Sequence, residues 1–251
     1  MFAITGITGR VGGEVARNLL AGNQPVRAVV RDLRKGEPWA QLGCDLVRAD
    51  INDVGALTSA FKGVESVFVL VPPNFDPSPD FHEARATAAT LKSAIEAALP
   101  GRVVYLSTIG AQATQSNLLT QHTIIEQVLG ELSIPITFLR PGWFIENCSW
   151  DIASATNDGV ISSFLQPIDK PVPMVATADV ACSCRTAPGN LERPQSRRVG
   201  GAASCDSSRD RNHLRRPAWP SCKNGTGAAR DLGVAIQITG HEEPHTPHQD
   251  A

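Results

Sequence analysis

Tyrosine is nearly absent from this chain: the single one is Tyr105, and no lysine lies between Lys92 and Lys170. A Tyr-x-x-x-Lys acid/base pair is therefore excluded across the middle of the sequence. An excess of one charge is lacking too. A net charge of −2 gives no electrostatic case for nucleic acid or an anionic membrane surface. No uninterrupted apolar run is long enough to span a bilayer. The N-terminus has no basic region leading into a signal-type core, because a glycine turn begins at once. The expectation is a soluble cytoplasmic protein with neither membrane nor nucleic-acid partners. Its 251 residues hold one ordinary α/β domain with room for a small appended lobe.

Cysteine is sparse in the first part, where Cys44 and Cys148 stand alone and read as small packing residues. Cys182, Cys184, Cys205 and Cys222 all fall beyond residue 180. With His213, or beside the cluster His241, His245 and His248, they raise the question of a metal site. The spacing Cys-x-Cys followed by distant single cysteines matches no common zinc module, so no metal is expected.

What the chain does have comes at its start: Phe2-Ala3-Ile4-Thr5-Gly6-Ile7-Thr8-Gly9-Arg10-Val11-Gly12-Gly13. A short apolar strand runs into a glycine-spaced turn, which opens into a helix carrying Val15, Leu19 and Leu20. Gly6 allows the sharp turn, Gly9 lets backbone amides approach a phosphate, and Gly12 lets the helix pack close to the sheet. The helix N-terminus adds the positive end of its dipole. This is a dinucleotide-binding arrangement, and its place between a strand and a helix separates it from glycines that merely mark turns.

Up to about residue 140 strands and helices alternate. Strands are expected at Val26–Val30, Asp45–Ala49, Val64–Val71, Arg102–Leu106 and Ile134–Leu139. Helices are expected after Asp53 as cap, over Ala84–Leu99 and over Leu118–Leu132. Such βαβ units imply a doubly wound parallel sheet of the Rossmann kind. The expected domains are 1–140 as an NAD(P)-binding unit, 141–180 as a small, incomplete substrate lobe, and 181–251 as a tail. The lobe is rich in large apolar residues, among them Trp143, Phe144, Trp150, Phe164 and Met174. In the tail the only Leu, Ile, Val, Phe or Met are Leu191, Val199, Leu214, Leu232, Val234, Ile236 and Ile238. That is roughly a tenth of the segment, below the ~20% at which a core becomes hard to build. A disordered tail is expected.

Strand two ends Val30-Arg31-Asp32. An acidic tip would accept ribose hydroxyls, whereas an arginine favours the 2′-phosphate of NADP. Arg31, with Arg10 and Arg34 nearby, tilts the choice to NADP(H), with NAD(H) still possible; an ordinary exposed arginine is the alternative. Asp50 and Ile51 follow strand three at the adenine edge, and Val71-Pro72 lie toward the ribose. The cofactor set is thus Gly6, Thr8, Gly9, Arg10, Val11, Gly12, Arg31, Asp50, Ile51, Val71 and Pro72. Ser107 and Thr108 follow strand five, where a hydroxyl can orient a substrate carbonyl or simply satisfy the backbone. The next helix places His122 and Glu126 on one face. They read either as a proton relay or as an ordinary exposed pair. Trp143, Phe144 and Asn147 are candidates for the substrate wall.

These motifs resemble the NmrA-like family of atypical short-chain dehydrogenase/reductases over residues 1 to about 180. Thr5-Gly6-Ile7-Thr8-Gly9-Arg10-Val11-Gly12, Val30-Arg31-Asp32, Ala49-Asp50 and Leu106-Ser107-Thr108-Ile109-Gly110-Ala111 carry the likeness. So do Ile136-Thr137-Phe138-Leu139-Arg140-Pro141-Gly142-Trp143-Phe144-Ile145-Glu146-Asn147 and Pro173-Met174-Val175-Ala176-Thr177-Ala178-Asp179-Val180. The resemblance implies a Rossmann fold that binds NAD(P)(H). It also implies either hydride transfer to a quinone-like or azo substrate or a non-catalytic sensor of NADP(H) acting through a protein partner. A monomer or homodimer is expected.

In that family Ala178-Asp179-Val180 begins a helix that continues into further elements, whereas here Ala181-Cys182-Ser183-Cys184-Arg185 follows. Codons compatible with Gly200–Pro220, read one base out of register, give a capped, apolar-faced helix resembling the family's C-terminal sequence. The stretch Gly240–Asp250 behaves alike, which points to a one-base frameshift near codon 181. Resequencing the gene across that codon is expected to show the family-like helix in the shifted frame. A shifted frame that encodes no such helix would overturn the frameshift.

Overall fold

In a computed structural model the chain is described over residues 1–163, 165, 171–185, 195–199 and 237–239. It divides into two compact units, Met1–Phe144 with Pro173–Gly201, and Ile145–Val172 with Ala202–Ala251.

The first unit begins with β1 (Phe2–Thr5), α1 (Arg10–Ala21), β2 (Val26–Val30), α2 (Leu33–Gln41), β3 (Asp45–Arg48) and α3 (Val54–Phe61). It continues through β4 (Ser66–Val69), α4 (His82–Ala98), β5 (Arg102–Leu106), α5 (Thr120–Leu129), β6 (Ile136–Pro141) and β7 (Trp143–Phe144). After a single 3₁₀ turn over Ile145–Trp150, the second unit contributes α6 (Ile152–Asp158) and β8 (Val160–Ser162). The first unit then resumes with β9 (Met174–Val175), α7 (Thr177–Arg185) and β10 (Gln195–Val199), and β11 (Gln237–Thr239) pairs in parallel with β8 of the second.

One parallel sheet organises the first unit, in the order β10-β6-β5-β4-β1-β2-β3. The reversal of strand order beside β1, where the chain leaves first toward β2 and later toward β4, is the doubly wound pattern expected from the sequence. Its strands read as nearly continuous apolar runs because helices cover both faces. Side chains alternate between two cores. Ala3, Val67, Val69, Val103 and Tyr105 face α3, α4 and α5, against Leu57, Phe61, Leu91, Ile95, Ile125 and Leu129. Ile4, Phe68, Val104 and Leu106 face the other side, with Val11, Val15 and Leu19 of α1, Trp39 of α2 and Val180 of α7. Each fully buried Leu or Ile contributes on the order of 1.5–3 kcal/mol.

Three differences from the sequence expectation have physical reasons. Helix α2 was not foreseen, because Gly36 and Pro38 break its periodicity; Asp32 nucleates it by accepting from the Arg34 amide at 3.0 Å. Helix α7 starts at Thr177, one residue ahead of the Ala178-Asp179-Val180 start that the resemblance implies, with Asp179 in its first turn. Strand β10 adds a seventh strand from within the expected disordered tail, pairing with β6 from Gln195↔Thr137 to Val199↔Pro141. An edge strand needs backbone partners more than apolar side chains, so composition does not announce it. Apart from the end of α7 and strand β11, the rest of the tail, and with it the frameshift reading, lies outside the described residues.

A close backbone approach joins the end of β1 to α1. Gly6 turns the chain at φ +66°, and a Cβ on Gly12 would overlap the Gly6 carbonyl. The obstruction is backbone on both sides, so neither element can yield without moving the turn. Gly12→Ala is expected to cost about 2–3 kcal/mol, as in overpacked cores. Urea denaturation checks it, and a loss below half a kcal/mol would show that the turn yields.

Candidate functional site

The turn from β1 into α1 lies at the carboxyl edge of the sheet. Among the described residues no side chain caps α1: Gly9 occupies the cap position in extended conformation, with Gly9 N–H donating to Gly6 O (3.0 Å) and Gly13 N–H to Gly9 O (2.9 Å). The N-terminal amides of a helix in this state favour an anion. Thr5 ties the turn to the end of β4: its Oγ1 accepts from the Leu70 amide at 2.8 Å and donates to the Leu70 carbonyl at 3.1 Å. Leu70 in turn packs on Gly6, where an added Cβ would sit 3.1 Å from its Cδ2.

Beside this turn opens a cleft of about 300 Å³, lined by Thr5, Gly6, Thr8, Gly9, Val29, Val30, Arg31, Ala49, Ile51, Leu57, Leu70, Pro72 and Pro73. Six of the expected cofactor residues meet here: Gly6, Thr8, Gly9, Arg31, Ile51 and Pro72. Of the others, Val11 and Gly12 are buried in the first turn of α1. Arg10 is exposed at the start of that helix. Asp50 is exposed just after β3, its Oδ1 accepting from the Asn52 amide at 2.9 Å. Val71 lines a neighbouring cavity that shares Pro72 and Pro73 with the cleft. Thr5 and Pro73 were missed from sequence; a hydroxyl closing an otherwise apolar strand was the available signal for Thr5.

Charge at the tip of β2 is arranged asymmetrically. Arg31 is exposed and lines the cleft. Asp32, the acidic residue beside it, is engaged elsewhere: besides the Arg34 amide it accepts from the Arg34 guanidinium, Nε to Oδ1 at 3.3 Å and Nη2 to Oδ2 at 3.2 Å. Those bonds hold its carboxyl below the usual carboxylate range. An anion arriving at this tip therefore meets a cation beside an already paired carboxylate.

The candidates for catalysis divide. Ser107 is buried just past the end of β5, and its Oγ has no hydrogen-bond partner among the described residues. A buried hydroxyl without a partner costs free energy unless a ligand or water completes it. Thr108 is half-buried and donates to the Ile109 carbonyl at 3.2 Å. His122 and Glu126 are not the exposed pair allowed by sequence. Glu126 is buried and holds Arg140 of β6 in a bidentate ion pair, with Oε1 accepting from Nε at 2.8 Å. This bond keeps the Arg140 guanidinium charged well above its ordinary range. His122 turns instead to Tyr105, Nδ1 to the phenol oxygen at 2.8 Å. Burial lowers the His122 pKa, opposed in part by Glu126, and raises that of Tyr105 far above its usual value. The i, i+4 spacing was read correctly, but Glu126 is taken by an arginine that only the fold brings near.

The expected substrate-wall residues do not line the cleft. Trp143 donates its amide to the Pro173 carbonyl at 2.9 Å, and Phe144 packs against the core on the α1 side. Asn147 belongs to the second compact unit. The cysteines and histidines beyond Arg185 lie outside the described residues, and among the described ones no cluster suited to a metal ion occurs.

Comparison with known proteins agrees with this architecture. The model of the NmrA-like family matches residues 1–194. Quinone oxidoreductase 2 of Escherichia coli K12 is 30% identical over 162 residues, covering 64% of this chain and 54% of the relative. An NAD(P)H azoreductase of Xenophilus azovorans is 32% identical over 149 residues, 59% of this chain and 49% of the relative. The chain thus spans about half the length of these curated relatives. Among solved structures, the NADPH complex of an Escherichia coli NADPH-dependent quinone oxidoreductase superposes with a TM-score of 0.67 at 27% identity, over 80% of this chain and 69% of that one. Citrobacter sp. triphenylmethane reductase with NADP(H) gives 0.68 at 22% identity over 80% and 70%, a likeness of fold.

Proposed function

The chain belongs to the NmrA-like family, and on that footing we propose that it is an NADP(H)-binding oxidoreductase that passes hydride to a small electrophile such as a quinone or azo compound. The observation that carries the reading is the cleft itself. It joins an uncapped helix N-terminus, a glycine turn with no room for side chains, and Arg31 beside a carboxylate already paired with Arg34. The names of the relatives, a quinone oxidoreductase and an azoreductase, support the same substrate class.

The residues present fit the cofactor. The turn amides of Gly6–Gly12 would take the pyrophosphate, with Thr8 at the rim. Arg31, with Arg10 nearby in sequence, would take the 2′-phosphate and favour NADP(H) over NAD(H). Asp50 and Ile51 would lie toward the adenine, and Val71 and Pro72 toward the ribose. When bound, the reduced nicotinamide supplies the hydride. The protein's part is to bind, orient and exclude water. Ser107, whose Oγ lacks a partner, would hold a substrate oxygen at the end of β5, with Thr108 beside it. Residues 1–140 form the nucleotide unit in this reading, and 141–180 a partial substrate lobe. Among the described residues no helix is long and apolar enough to cross a membrane.

A second reading is a sensor that binds NADP(H) and signals through a protein partner, favoured by the absence of a Tyr-x-x-x-Lys pair. Steady-state oxidation of NADPH with a panel of quinones and azo dyes separates the two. Turnover with at least one of them is expected; tight NADPH binding with no oxidation across the panel would overturn the enzyme reading.

Cofactor preference has its own test. Losing one charge-assisted bond to phosphate is expected to raise the Kd of Arg31→Ala for NADPH by about tenfold. Its Kd for NADH should stay within about twofold, because the ribose hydroxyls do not need the cation. Equal effects on both cofactors in isothermal titration would remove Arg31 from the specificity role.

A further inference from the structure

Tyr105 is fully buried, and its hydroxyl has one hydrogen-bond partner among the described residues, His122 Nδ1 at 2.8 Å. That fact decides the direction of the bond. Were Nδ1 the donor, the phenol proton would be left without an acceptor inside the core, at a cost of about 1–3 kcal/mol. With the phenol donating, both groups are satisfied. Nδ1 is then the acceptor, and in a neutral imidazole the proton must sit on Nε2.

The charged groups around the ring agree with a neutral imidazole. Tyr105 of β5 offers a hydroxyl and, being buried, stays protonated. Glu126, one turn along α5, is the nearby carboxylate that would favour a charged ring, but both its oxygens bind Arg140 of β6. Glu83 of α4 accepts from the Ser78 amide and hydroxyl, the latter at 2.6 Å. Burial then outweighs Glu126 and lowers the His122 pKa.

His122 also lines a cavity of about 70 Å³ with Val71, Pro72, Pro73, Asn74, Glu83, Ala84, Thr87, Gln121 and Ile125. Pro72 and Pro73 line the nucleotide cleft as well, so the cavity lies against it. It is roomy enough for a water or a single ligand oxygen. Asn74 and Gln121 border it as polar groups, and Gln121 Nε2 is already given to the Asn74 carbonyl at 2.7 Å.

We propose that His122 is a fixed, uncharged hydrogen-bond donor that holds a carbonyl or quinone oxygen of the substrate through Nε2–H, with Tyr105 as the positioning residue that sets its tautomer. The role replaces a proton relay through Glu126. No bond to hydrogen breaks at His122: the hydride comes from the reduced nicotinamide, and the substrate oxygen takes its proton from solvent. A neutral donor stabilises developing negative charge without having to be recharged between turnovers. The proposal rests on the reductase reading for its substrate, while the tautomer rests on the buried bond alone.

The test has two arms on the full chain. Nitrogen-15 imidazole shifts of the cofactor-free protein are expected to report a neutral His122 with Nε2 protonated from about pH 6 to 8, where a free histidine titrates. Tyr105→Phe removes only the hydroxyl, and thermal melting verifies that it folds. In it the tautomer is expected to become mixed and a titration to enter that window. A wild-type His122 with the proton on Nδ1, or one titrating normally, would overturn the proposal.

The second arm measures quinone-dependent NADPH oxidation. His122→Leu is expected to lower kcat on the order of 10²-fold, as for loss of one preorganised donor, with the Kd for NADPH unchanged. His122→Gln, which returns an N–H at the Nε2 position, should recover most of kcat. Equal kcat in wild type and His122→Leu would overturn the donor role while leaving the reductase reading intact. Absence of turnover in the wild type would overturn that reading and the substrate contact together.

Discussion

Backbone meeting backbone at Gly6 and Gly12 sets the position of everything else at the sheet's carboxyl edge. Because no Cβ fits between the Gly6 carbonyl and the first turn of α1, the helix starts almost on top of the strand that feeds it. The same turn is held from the other side by Thr5, bonded to both backbone groups of Leu70. The ends of β1 and β4 are thereby tied to the helix start, and the cleft opens beside this turn.

Electrostatics then sort what the cleft can hold. In doubly wound folds the residue at the tip of β2 decides between a ribose hydroxyl and a phosphate. Here an arginine and an aspartate stand side by side, and sequence alone leaves their competition open. An ordinary local need bears on it: α2 must be capped, and Asp32 does so while also binding Arg34. A carboxylate occupied by a helix start and a guanidinium has little left for a sugar hydroxyl. Its paired charge also repels a phosphate less than a bare one would.

The parts of the fold that were legible in the sequence were those governed by period and by turn chemistry. The glycine turn, the strands of the parallel sheet and the Asp53 cap of α3, which accepts from the Ala56 amide at 2.9 Å, all follow from local rules. Helix α2 did not, because Gly36 and Pro38 hide its apolar face although Trp39 is buried. Strand β10 did not, because an edge strand is specified by a neighbour's open backbone. Of the candidate site, Gly6, Thr8, Gly9 and Arg31 could be assigned from spacing, since they lie in the turns that follow β1 and β2 of one continuous βαβ unit, whereas Thr5 on β1 could not. Arg140 could not be joined to Glu126, nor Tyr105 to His122. Each pair crosses from a strand to α5, and the side of the strand that faces the helix emerges only from the sheet's alternation.

Those two pairs show how one helix face supports opposite electrostatic states a single turn apart. Glu126 is buried and remains paired because Arg140 supplies charge and two parallel donors, a geometry that repays the desolvation of both ions. His122 has no such partner. Its neighbour is a phenol whose proton has no other acceptor among the described residues, and donation to Nδ1 is compatible with a neutral ring. Exchanging the partners would reverse the outcome: a carboxylate at Nδ1 would draw a proton onto the imidazole and make it a cation. By binding both oxygens of Glu126, Arg140 therefore does more than stabilise the strand it sits on. It engages the carboxylate that favours a charged ring, burial outweighs what remains of that influence, and an uncharged ring borders the cavity beside the cleft.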